Sequence, residues 1–171
     1  MMCRFRPALA ATVAILALAA CDQGGAMSDP HTGTSVFRGP SDVASFRGVN
    51  SLSASAAVGT RGGAPFHGIY TSYASSMMDF ARFSQAYSFG TELPYQVTGE
   101  RSAGCLPTCS HVETGVITLT EAQFRQAARS GFEFRLIGTG ATVTGKMTPA
   151  SFQKALAGQW RPSTGAVHQQ G

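Results

Sequence analysis

The chain has 171 residues, thirteen of them basic and nine acidic, for a formal net charge of +4. Arg4 and Arg6 belong to an N-terminal leader and the remainder is nearly neutral; Arg125, Arg129 and Arg135 stand apart, so the composition carries no nucleic-acid footprint. The length beyond the leader, roughly 150 residues, fits one domain, and no later segment is an apolar run long enough to span a bilayer.

The leader opens with Arg4 and Arg6, has no acidic residue in its first twenty positions, and runs apolar from Pro7 to Ala20 apart from Thr12. That run is about fourteen residues where a span needs roughly twenty, so it reads as a secretory signal peptide. Its flank, Leu18-Ala19-Ala20-Cys21, resembles the lipobox of bacterial lipoproteins, a resemblance confined to the first twenty-odd residues. It implies that residues 1–20 are cut away, that the Cys21 sulfur carries diacylglycerol and its amino group an acyl chain such as palmitate, and that the rest is held on a bacterial membrane with its domain in the periplasm. Buried acyl chains contribute roughly 0.8 kcal/mol per methylene, so two or three of them anchor stably. Asp22 resembles the inner-membrane retention signal of such proteins.

Residues 21–42 are rich in Gly, Ser, Thr, Asp and Pro with isolated apolar residues, a composition expected to form a flexible tether spanning about 25 Å. A domain over 43–160 then follows. "SLSASAAV" alternates Leu52, Ala54, Ala56 and Val58 against Ser51, Ser53, Ser55 and Ala57, the period of a half-buried strand. "VGTRGGAP" reads as a loose break, and "FHGIYTSYAS" as a second strand. In "MMDFARFSQAYSFGTELPYQV" the aromatics and the Gly90-Thr91 turn favour strands over a helical stripe. "HVETGVITLT" is strand-like. Thr120 and Gln123 have the spacing of a capping box for a helix that buries Phe124 and Ala128 and ends at Gly131. "FEFRLIG" turns Phe132, Phe134 and Leu136 inward and Glu133 and Arg135 outward, with "ATVTGKM" as its hairpin partner. "TPASFQKALAG" predicts a last helix with Thr148 as N-cap, Pro149 first, Phe152 and Leu156 on one face, and Gly158 as its stop. Residues 161–171 are expected to form a disordered tail. Runs of strands with two short helices near the C-terminus predict an α+β domain built on an antiparallel sheet. The arrangement is similar to exported bacterial domains to which no activity attaches.

Cys3 lies in the leader and Cys21 is the lipid site, which leaves Cys105 and Cys109 in "SAGCLPTCSH". In an oxidising compartment such a pair is expected to form a structural disulfide pinning the turn around Pro107. A thiol–disulfide enzyme would instead open a helix with C-x-x-C. The spacing C-x3-C-x-H to His111, with the sulfurs of Met77 and Met78, matches no established metal or haem pattern, so neither metal nor cofactor is expected. A hydrolase would need a nucleophile, a base and an orienting carboxylate; no G-x-S-x-G elbow occurs, and only His67, His111 and Glu113 stand as candidates inside the domain. His67 is expected at a strand edge and His111 in a loop. The parts together predict an envelope lipoprotein with a non-enzymatic binding or structural role and an envelope protein as partner. The alternative is a small periplasmic enzyme, thiol–disulfide or hydrolase in type, with its site near Cys105, Cys109 and His111.

Overall fold

The computed structural model describes residues 24–76, 80–103 and 110–159. The leader, Cys21, Met77 and Met78, Cys105 and Cys109, and the tail 161–171 lie outside those residues. The strands pair antiparallel into two sheets. The larger is built from β1 (Gly25–Asp29), β2 (Thr34–Arg38), β3 (Asp42–Arg47), β4 (Asn50–Arg61), β5 (Ala64–Ser76), β8 (Tyr95–Ala103) and β9 (Ser110–Thr118). Its order is β1-β2-β4-β5-β9-β8, with β3 pairing β4 beside β2. The smaller has the order β11-β10-β6-β7, from β6 (Phe83–Ser88), β7 (Thr91–Leu93), β10 (Phe132–Gly138) and β11 (Thr142–Met147). Helices α1 (Glu121–Ser130) and α2 (Pro149–Gln159) complete an α+β fold of mostly antiparallel sheet.

Turn chemistry explains the long central hairpin. Gly62 and Gly63 both take left-handed φ, 58° and 78°, as a two-residue turn matched to strand twist requires. The expected loose break at 59–65 is therefore wrong: β4 runs through Arg61 and β5 resumes at Ala64, paired with it. Leu52, Ala54, Ala56 and Val58 face the core as the alternation predicts. The opposite face of β4 is also covered at Ser55 and Ala57. The Arg38 guanidinium bonds the Ser55 hydroxyl at 2.6 Å and lies over the Tyr70 ring, while Ala57 packs with Val36, Phe66 and Val116.

The tether expectation is also overturned. Residues 25–38 form the β1–β2 hairpin, and β2 is zipped onto β4 from Ser35↔Thr60 to Arg38↔Ala57. Their side chains are too polar to fold alone, but a β ladder is made by backbone groups, and the exposed edge of β4 supplies a template. Val36 and Thr34 become buried in the process. The folded domain thus starts near residue 25, not 43.

The helices follow their local signals. The Thr120 hydroxyl accepts from the Gln123 N–H at 3.2 Å, and the Gln123 amide oxygen accepts from the Thr120 N–H at 2.9 Å. Gly131, at φ 79°, closes α1 by donating its N–H to the Ala127 carbonyl. Phe124 of α1 meets Phe152 of α2 edge-on with ring centroids 5.1 Å apart, and both enter a core that includes Ile69, Ile117, Phe134 and Leu136. Thr148 precedes α2 as expected, and its N–H and hydroxyl both bond the Asp42 carboxylate, tying α2 to β3. Gly158 does not stop the helix, which continues to Gln159; its missing side chain makes room for the Phe37 ring, whose Cδ1 lies 2.1 Å from where a Cβ would stand.

Candidate functional site

On the core face of the larger sheet, the period-two pattern of β5 and β9 aligns a row of polar side chains. Thr71 lies opposite Gly115, Tyr73 opposite Glu113, and Ser75 opposite His111. His111 is 4% exposed and Glu113 2%. His111 is thus not a loop residue; it belongs to β9, with its ring 4.6 Å from that of Phe80. Glu113 Oε1 accepts the Phe83 N–H at 2.6 Å, fastening the start of β6 onto the larger sheet. Among the described residues, His111 Nδ1 and Glu113 Oε2 have no hydrogen-bond partner. Burial pushes the Glu113 carboxyl above its ordinary range, opposed by the backbone amides of Phe83 and Arg82.

The row continues to β8. Tyr95 lies across Gly115, where a Cβ would come 2.2 Å from its hydroxyl, so only glycine lets the ring settle there. Burial drives the Tyr95 hydroxyl up to about 12, against the hydrogen bond with Thr71 and helped by the charge of Glu113. Thr71 in turn donates to the Gly115 carbonyl at 3.2 Å. This strip of Thr71, Tyr95, Glu113 and His111 can hold a proton on a buried carboxyl and fix the spacing of the two sheets.

His67 is elsewhere. It sits within β5, inside the sheet, not at an edge, and its ring packs 5.4 Å from that of Phe124. Burial lowers the pKa of its imidazole, with Glu121 pulling the other way. Eight residues of strand separate it from Ser75, which faces His111, or roughly 27 Å. The structure brings His111 and Glu113 together and leaves His67 apart. Tyr73, Ser75 and Tyr95 were missed in the sequence; the one available signal was that Thr71, Tyr73 and Ser75 share the parity of Ile69.

Three concavities open on the surface, one of them reaching Tyr73, the strand neighbour of Glu113. One of about 500 Å³ is bounded by Phe46, Arg47, Leu52, Gly140 and Val143. Two others, of about 420 and 490 Å³, flank Phe89 at the β6–β7 turn, one against Arg135 and Ile137 and the other against Ala122 and Gln126 of α1. None of these three is lined by His67, His111 or Glu113. Phe89 is 87% exposed and takes a left-handed φ of 45°, unusual for a bulky residue. The fold and strip define an α+β protein whose apolar two-sheet core carries a row of buried polar side chains. Compared with protein-family models, curated proteins and solved structures, the chain has no match in any of the three.

Proposed function

We propose that this chain is a bacterial envelope lipoprotein, acylated at Cys21, that holds a non-enzymatic binding domain on the periplasmic face of a membrane, with Asp22 favouring the inner one. The observation that carries this reading is the order of parts in the sequence: Arg4 and Arg6, a short apolar run, Leu18-Ala19-Ala20-Cys21, and then a folded domain from Gly25. A binding role suits the surface better than catalysis does. The acid–base candidates His111 and Glu113 are buried between sheets, while large apolar side chains stand exposed on two hairpins. An envelope protein is the partner this surface suits.

A disulfide between Cys105 and Cys109 belongs to the same reading. Ala103 and Ser110, the described residues on either side of the two cysteines, face each other across the β8–β9 ladder. The test of the anchor is metabolic labelling with an alkynyl fatty acid. Wild type should take up label and float with membranes; Cys21→Ser should take up none and accumulate with its leader uncut. Labelled, processed Cys21→Ser protein would overturn the assignment.

A further inference from the structure

The β1–β2 hairpin removes the spacer that the composition promised. Only four residues' travel separates Cys21 from Gly25, and a fully extended chain covers at most roughly 14 Å in that distance. On the anchored reading above, the domain cannot stand clear of the headgroups, so one of its faces must meet them.

The direction of β1 shows which face. Gly25 pairs with Arg38, antiparallel to β2. β2 and β3 follow one another along the same edge of β4, Arg38 opposite Ala57 and Asp42 opposite Ala54. Followed back toward its N-terminus, β1 therefore points along β3 toward the β3–β4 turn. That end of the molecule carries Val43, Phe46 and Val49, which are 74%, 71% and 78% exposed. Val43 and Phe46 lie opposite Ser53 and Ser51, on the side of β4 away from the core, and Val49 is the second residue of the Gly48-Val49 turn. Gly48, at φ 62°, supplies the left-handed position the turn needs and leaves the valine at the tip. Arg47, exposed between Phe46 and the turn, adds a cation of the kind that anionic headgroups attract.

We propose that the β3–β4 hairpin, through Val43, Phe46 and Val49, is the surface that rests on the bilayer holding the Cys21 anchor. The occupant is a lipid surface because β1 points back toward this end and the few residues between it and Cys21 are too short to carry the domain away from an anchor there. Phe89 is the internal control. It sits by Glu133 near the start of β10, whereas Phe46 shares its concavity with Gly140 and Thr142, at the far end of the β10–β11 hairpin.

The proposal rests on the lipoprotein reading, and the experiment separates the two. The mature, full-length protein is purified from membranes with Trp160→Phe, and a reporter is introduced as Phe46→Trp, Val49→Trp or Phe89→Trp. Each variant is reconstituted into phosphatidylethanolamine–phosphatidylglycerol vesicles whose acyl chains carry bromine, and Cys21 acylation is read by mass. F46W and V49W fluorescence should be quenched about twofold or more, as for a side chain seated roughly 5–10 Å into the boundary, with F89W unchanged. Acylated protein in which F46W and V49W are unquenched, or in which F89W is quenched equally, overturns the docking face alone. Cys21 found without lipid overturns the anchor, and the docking face with it.

Discussion

Glu113 shows how a single buried carboxyl can set a protein's response to pH. Its position on β9 puts it between the sheets, where it accepts the Phe83 N–H and burial favours the protonated form. As pH rises above the ordinary 4.5, the unfolded chain releases this proton before the folded one does. The unfolded state then binds fewer protons, so stability falls with rising pH until the folded carboxyl also ionises. Glu113→Gln keeps an acceptor for the Phe83 N–H without the charge. Thermal melts from about pH 4 to 8 should show the wild type losing stability relative to the Gln variant, by ~2–4 °C or more at neutral pH. Parallel curves would remove the carboxyl from this role. Little of this was legible in the sequence. Glu113 and His111 share a strand parity in "HVETGVITLT", but which face of that strand is core depends on β6 and Phe80, which lie some thirty residues earlier in the chain.

At the scale of elements, local chemistry was largely readable. The Thr120–Gln123 box, Gly131 and the alternation of β10 need only residues within one or two turns, and each forms as expected. Gly158 is the instructive exception. At the end of a helical pattern a glycine reads as a stop, but here it is a contact, because β2 brings Phe37 against the helix backbone. Gly158→Ala should gain about 1 kcal/mol of helix propensity and lose roughly 1–3 kcal/mol to overpacking. A net loss of stability is expected in denaturant melts. In a Phe37→Ala background the same change should become neutral or stabilising, and an unchanged loss there would disconnect the glycine from the ring.

At the scale of the molecule, the domain begins about eighteen residues before the position its composition suggested, since residues 25–38 are part of the larger sheet. A chain starting at Asp42 would lose buried Val36 and the Phe37 contact with α2, and would bare the edge of β4. Burying two such side chains is worth roughly 3–6 kcal/mol, a large part of the 5–15 kcal/mol typical of a domain. The truncated chain should therefore melt at much lower urea than one starting at Gln23, with limited proteolysis of the latter sparing the peptide from Gly25 to Arg38. Equal midpoints, or early cleavage inside that peptide, would restore the tether.

What the sequence determined by itself was whatever depends on near neighbours: the alternation of β4 and β10 and the caps of α1. Tertiary structure decided which strands found partners and which faces were covered. The Asp42 carboxylate meets Thr148, 106 positions away, and the Ser151 hydroxyl accepts from Ala56 N–H, 95 positions away. No window of sequence contains both members of either pair. The polar segment 25–38 joined the sheet because its ladder is made by backbone groups that every residue carries, and an open edge of β4 was there to receive them. The burial of His111 and Glu113, and the exposure of Val43 and Phe46 on the β3–β4 hairpin, follow from that assembly of distant strands.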